Sequence, residues 1–297
     1  MTAVLTEPGR GGGLLAVVRR RYLLSLLVRR ELRARYQGSL LGLGWSYVRP
    51  AVNFGVYFFV VGIFLKVSKS TPNYAVFMFS GLVLISFFTE TLITSTWSVI
   101  GNAALVQKIY LPREMFPTAS MLVSVVQLVP GLVILLVASL LAGWSPTPLG
   151  LASAVLALAI VGVTAQAFGM LFAAINVFFR DFGQVVDILT IVIPWSVPMI
   201  YPWTMVRDSA SHTVLTLYLD NPLSSAVLLF QRAFWWPTAG HTFTGPHHDI
   251  PAFPNGNPAF PDGLTERGLF SLLGALVVLG LAQLAFSRLQ RRFAQEL

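Results

Sequence analysis

The sequence contains no cysteine, which excludes disulfides, thiol nucleophiles and cysteine-based metal sites. Charge is scarce as well: Asp, Glu, Lys and Arg make up 11% of 297 residues, against 55% hydrophobic residues and a mean hydropathy of +0.72. A soluble domain of this length needs a polar surface, and so few charges, grouped between apolar runs, do not supply one. The composition is that of a polytopic membrane protein.

Signatures of chemistry are missing too. The pair Gly-Lys occurs nowhere, so a Walker A phosphate loop is excluded, and Gly-x-Ser-x-Gly is also absent. His212, His241, His247 and His248 all fall in one late loop, where the last three, with Asp249, could touch a metal. A Pro/Gly-rich segment more often carries such side chains exposed, so no metal site is expected. Asp208, Asp220, His212 and Asp249 are too scattered to read as the active site of a membrane-bound transferase.

What is present is basic charge, with a formal net value of +8. Nucleic acid attracts such charge, but most of these residues flank apolar runs and lack interleaved aromatics; lipid headgroups are the expected partner and nucleic acid is not. Residues 14–36, "LLAVVRRRYLLSLLVRRELRARY", mix leucines with arginines, and Leu23, Leu26, Leu27 and Arg30 fall at helical spacing. Hydrocarbon does not accept arginine at this density, so an amphipathic helix in the headgroup layer is expected, with Arg29, Arg30, Arg33 and Arg35 reaching phosphate. The basic residues interrupt the first apolar run instead of preceding it, so a secretion signal is not expected.

Six later stretches have the length a crossing helix needs: 40–65, 74–97, 117–141, 149–177, 185–206 and 268–286. Pro50, Pro194 and Pro198 mark the first and fifth as prone to breaks. Six crossings leave only Lys66, Lys69, Arg207, Arg232 and Arg267 of the 20 basic residues outside, which puts both termini in the cytoplasm. In the last outside loop, 207–267, the apolar run 222–236 is short for a crossing and is expected as an interfacial or re-entrant helix, with Trp235 and Trp236 at headgroup depth. The expected fold is an all-α polytopic membrane protein: six transmembrane helices, an N-terminal amphipathic interface helix, and short re-entrant or interfacial helices in the last outside loop. Its parts are a basic N-terminus with the interface helix (1–38), a transmembrane domain (39–287) and a basic tail (288–297).

Aromatic rings at several depths can stack on the C–H faces of a sliding sugar chain. Tyr57, Phe58, Phe87, Phe88, Trp195 and Tyr201 are the expected path residues. Glu90, about 10 Å from the helix end at Trp97, reads either as a carboxylate bonded to local hydroxyls or as a polar gate or partner of a cytoplasmic arginine.

Three stretches carry a family resemblance. "LLVRRELRARYQGSLLGLGWSYVRP" presents Arg35, Tyr36, Ser39, Leu41, Gly42, Trp45 and Pro50; "GNAALVQKIYLPREMFP" presents Asn102, Leu105, Val106, Lys108, Pro112, Arg113 and Glu114, with Leu111 where phenylalanine is frequent. "NVFFRDFGQVVDI" presents Asn176, Val177, Arg180 and Asp181. In order and spacing the chain resembles the transmembrane subunits of ABC-2-type exporters of lipid-linked polysaccharides, the group that exports O-antigen, teichoic acid and mycobacterial galactan.

The resemblance implies a homodimeric channel in the bacterial cytoplasmic membrane that moves a polyprenyl-linked polysaccharide. Separate ABC ATPase subunits would hold ATP and Mg, leaving this chain without cofactor or catalysis. A coupling element at about 102–117 is implied, with Lys108, Tyr110, Arg113 and Glu114 toward the ATPase, Pro112 as its stop, and Arg180 and Asp181 in a second turn. Small residues such as Gly162 and Gly169 are expected between helices. An exporter of drugs or small lipids is the alternative.

Overall fold

The computed structural model describes residues 13–40, 42–69, 71–108, 111–239 and 259–297. Tyr110, Leu41, His241, His247, His248 and Asp249 lie outside the described residues. The regular structure described is entirely helical.

Two helices precede the first crossing. α1 (Gly13–Arg19) leads into α2 (Arg21–Tyr36), which buries Leu27 and exposes Arg29, Arg30, Arg33 and Arg35. This is the amphipathic division that the leucine and arginine pattern dictates. The first crossing begins as α3 (Trp45–Tyr57), continues as a π-helical turn (Phe58–Phe64), and leaves most of its surface outside the protein. α4 (Tyr74–Gly101) is its opposite, an apolar helix enclosed on nearly all sides. The short α5 (Ala103–Lys108) joins it to α6 (Met115–Leu141), and α7 (Pro148–Phe178) follows. Thr147 starts α7 by accepting the Gly150 N–H at 3.0 Å, with Pro148 in the first turn, where no backbone donor is needed.

α7 is the hub of the bundle, packing on α4, on α11 (Pro222–Phe234) and on α12 (Leu264–Leu289). Alanine, glycine and serine fill its inner faces, because apolar side chains gain little by leaving lipid and close backbone approach must hold the helices together. A Cβ at Gly169 would stand 2.8 Å from the Ser95 Cβ of α4, so only glycine permits that crossing. Gly162 is less demanding, since a Cβ there would meet the Met121 methyl at an ordinary 3.5 Å. Two separate apolar clusters result. The larger gathers Phe77, Leu84, Phe230 and Trp235, and the smaller, near the chain termini, gathers Met115, Phe116, Phe286 and Phe293.

The stretch 185–206 differs from expectation. It is divided into α8 (Phe182–Val192), a 3-10 turn (Ile193–Ser196), extended backbone at Val197, and α9 (Trp203–Ser209). Pro194, Pro198 and Pro202 remove backbone donors, and Val197, just before Pro198, is pushed out of helical geometry, whereas Ile193 before Pro194 keeps it. The chain is therefore an all-α polytopic membrane protein whose described residues hold five long apolar helices, and a sixth span only if a bent pair is taken as one.

That pair is α10 (His212–Asp220) and α11, which meet at 73°. Asn221 makes the bend, its side chain accepting the Leu223 N–H at 3.0 Å. α11 then lies buried among α4, α7 and α12, and the chain beyond it is tied to one end of the bundle. There the Trp144 indole donates to the Ala233 carbonyl at 2.8 Å, and the Trp235 indole donates to the Pro72 carbonyl at 2.6 Å. The Trp203 indole, at the start of α9, reaches the Ala259 carbonyl at 3.0 Å. The pair thus leaves and returns at the same end, as a re-entrant element does. Trp235 lies at that end, wholly buried against Phe77, Trp236 and Phe260; its paired N–H makes that burial tolerable.

Candidate functional site

The charged turn between α4 and α6 is built from both sides. Asn102 closes α4 by donating to the Ser98 carbonyl at 2.9 Å, while its oxygen accepts from the Arg30 guanidinium of α2, also at 2.9 Å. Lys108 is exposed at the end of α5, and Pro112 is buried where the chain turns into α6. Arg113 donates to the Gln290 carbonyl and lies over the Phe293 ring at 5.8 Å from its centroid. Burial pulls the Arg113 pKa down, and the neighbouring Glu114 acts in the opposite direction.

Glu114, expected to face a docked ATPase, is wholly enclosed. One of its oxygens accepts from Gln290 at 3.0 Å and from Gln283 at 3.3 Å; the other has no hydrogen-bond partner among the described residues. The C-terminal part of α12 covers the carboxylate, and two glutamine amides replace part of the water it has lost. The turn is therefore fastened to α12 and, through Phe293, to the last helix α13 (Phe293–Glu296).

A second corner lies between α7 and α8. Asn176 is buried there, donating to the Thr96 carbonyl at 3.1 Å and accepting the Gly183 N–H at 3.0 Å. A Cβ at Gly183 would overlap the Trp97 ring, so glycine is needed for α8 to close on α4. This rigid corner presents Arg180 and Asp181 at the surface.

Deeper in the protein, α2, α3, α4 and α6 enclose a half-open cavity of about 360 Å³. Arg35 and Glu90 meet across it at 2.5 Å. Tyr36 and Ser46 share a hydroxyl hydrogen bond of 2.8 Å, and Gln127 donates to the Tyr36 oxygen at 2.9 Å. Trp45, Asn53 and Phe87 complete the wall. Glu90 lies about 16 Å along α4 from Gly101, well inside a helix long and apolar enough to cross a membrane.

The expected path aromatics separate into groups. Tyr57 and Trp195 pack edge to face at 6.2 Å, and the Tyr201 hydroxyl donates to the Trp195 carbonyl at 2.6 Å. Phe58 stacks with Phe54 inside the bundle, and Phe88 is core. Beside the cavity, Glu31 accepts from the Ser120 hydroxyl at 3.4 Å. Burial raises its pKa, against the Ser120 hydrogen bond and the charges of Arg30 and Arg35.

Asn102 and Asn176 stand within the quoted motifs, but their task as ties between helices follows only from the contacts. Gln283 and Gln290 belong to none of the quoted motifs. Their signal is a seven-residue spacing of amides in and just beyond an apolar helix, which places both on one face. Among the described residues, no three acidic or histidine side chains cluster to hold a metal.

Residues 22–234 match the family described as ABC-2 type transporter. The chain is similar to the O-antigen export system permease protein RfbA of Myxococcus xanthus, 29% identical over 215 residues, which is 72% of this chain and 81% of the relative. It is also similar to a protein of the same name from Klebsiella pneumoniae, 27% identical over 227 residues, or 75% of this chain and 85% of that one. By a family match that spans most of a helical, multi-pass chain, the protein belongs to the ABC-2 type transporter family of membrane permeases.

Proposed function

We propose that two copies of this chain form the membrane path of an exporter that carries a polyprenyl-linked polysaccharide out of the cytoplasm, driven by separate ABC ATPase subunits. The observation that carries this reading is the clamped turn. A push on the exposed Lys108 side of that turn, or on the Arg180 and Asp181 corner, reaches α6, α12 and α7 through buried hydrogen bonds and packed side chains. An ATPase stroke needs such a stiff receiver. The basic residues around these turns agree with a cytoplasmic side. The O-antigen export in the name of the RfbA relatives supports the substrate class, and the half-exposed Tyr57, Trp195 and Tyr201 group is a candidate lining between the copies.

The test is vesicles holding this chain and its ATPase, assayed for ATP hydrolysis and for export of a lipid-linked glycan. Lys108→Glu with Arg180→Glu is expected to lower glycan moved per ATP while the subunits stay associated, because an exposed ion pair contributes only about 0–1 kcal/mol. Export of a drug or small lipid, with none of the glycan, overturns the substrate class. Unchanged coupling in the double variant overturns the role of the two turns.

A further inference from the structure

We propose that the cavity between α2, α3, α4 and α6 is a binding site for a neutral sugar unit. The proposal rests on the polysaccharide reading above and names a place inside one copy of the chain where that substrate is recognised.

The first ground is depth. The cavity takes its walls from the middle of α4, with Ser86, Phe87 and Glu90, and from α6, with Ser124, Gln127 and Gly131. Polar side chains at that depth are costly when lipid surrounds them, and they persist where they line a wetted or occupied space. Here Tyr36, Ser46 and Gln127 hydrogen-bond to one another around one half-open space, and Asn53, Ser86 and Ser124 join them in its wall.

Its charge is the second ground. Arg35 and Glu90 neutralise one another at 2.5 Å, and no other acidic or basic side chain among the described residues lines the cavity. A site for phosphate or pyrophosphate would present an uncompensated cation. A site for an apolar drug would present mainly apolar walls. This wall has neither bias. Its donors and acceptors alternate among Tyr36, Ser46, Asn53 and Gln127, the pattern that suits a ring of hydroxyls.

Shape is the third. Trp45 and Tyr36 bring an indole and a phenol to a wall that mixes hydroxyls and amides with Pro50, Val83, Phe87 and Leu128, so a C–H face of a sugar ring can stack while its hydroxyls find partners. At about 360 Å³ the cavity is near the lower limit of small-molecule sites, which suits one or two sugar rings and not a longer chain. α2 contributes Arg35 and Tyr36 to the wall, so the site adjoins the interface helix, where a lipid-linked glycan would arrive.

The experiment uses the full chain with its ATPase in nanodiscs and reads tryptophan fluorescence, with Trp45→Phe identifying the signal of the cavity. Neutral hexose disaccharides, inorganic pyrophosphate, polyprenyl phosphate without sugar, and a polyprenyl-linked neutral glycan are titrated in turn. Saturable change is expected with the disaccharides and the glycan only. Tighter binding of the lipid-linked form identifies the substrate as the source, and equal binding identifies free sugar. Asn53→Ala with Gln127→Ala should weaken the disaccharide by about tenfold or more, the loss expected for one or two hydrogen bonds. Ser86→Ala, which removes one atom from the wall, should show a smaller loss in the same direction if the double variant does not fold.

Response to pyrophosphate and not to sugars overturns the site, as does sugar binding unaltered by these substitutions. Vesicle export separates this failure from failure of the general reading. Wild-type export of the glycan with unchanged export by folded cavity variants sinks the cavity alone. No glycan export by wild type sinks the function, and the binding titrations still decide the cavity.

Discussion

Glu114 and Gln290 meet at 3.0 Å although 176 positions separate them in the chain. This contact makes the turn into α6 and the end of α12 one mechanical unit. It also reverses the expected orientation of Glu114, whose carboxylate serves the inside of the protein and leaves Lys108 as the exposed charge of the turn.

Glu114→Gln is therefore expected to fold, bind the ATPase and transport much as the wild type does, because the glutamine oxygen can still accept from Gln283 and Gln290. Glu114→Ala leaves the Gln290 amide without its acceptor and opens a small void, at a cost of about 1–3 kcal/mol. Thermal melting of the purified chain should place glutamine close to wild type and alanine well below it. Equal melting of all three would show that the clamp contributes nothing. Loss of ATPase binding in a well-folded glutamine variant would show that the charge itself faces the partner.

Glu31 gives a pH dependence whose sign is fixed by burial. Its pKa is raised in the folded chain, so folding binds a proton between the ordinary glutamate value, about 4.3, and the higher folded value. Stability is lost as pH rises through that window. Glu31→Gln keeps an acceptor for Ser120 but cannot ionise, so its melting temperature should gain on wild type as pH increases across the same interval and level off above it. A difference that is constant with pH, or that shrinks as pH rises, contradicts the assignment.

Sequence periodicity was enough for the helices whose environment is uniform. α4, α6, α7 and α12 follow from apolar length alone, and the arginine spacing foretold the amphipathic α2. The broken stretch after α8 showed its cause in three prolines but not its path, because a proline states where a helix stops and not where the chain goes next. The burial of Trp235 is hidden in the sequence for a related reason: an indole suits an exposed interface and a paired core site equally, and its acceptor, the Pro72 carbonyl, is remote in sequence. The same holds at the candidate sites. Glu90 carried a visible question, how a carboxylate survives at membrane depth, while its answer needed Arg35 from another helix.

The last prediction concerns the bent pair α10 and α11. α11 has 13 residues and spans about 20 Å, and α10 has 9 and spans about 14 Å, so neither crosses a hydrocarbon layer of about 30 Å alone. Their 73° bend shortens the combined advance, and Arg267 near the start of α12 reaches Asp220 at the end of α10 at 3.1 Å. A dip and return accounts for these contacts and keeps Arg288, Arg291 and Arg292 on the same side as Lys108. Because the chain has no native cysteine, single substitutions can be labelled without background. Ser209→Cys and Glu266→Cys, both exposed, should react with an impermeant maleimide from outside intact cells, whereas Gln107→Cys should react only after the membrane is opened. Should Ser209 and Glu266 label from opposite sides, the pair is a true crossing, the tail of α12 faces outward, and the clamp on Glu114 cannot lie at the ATPase side.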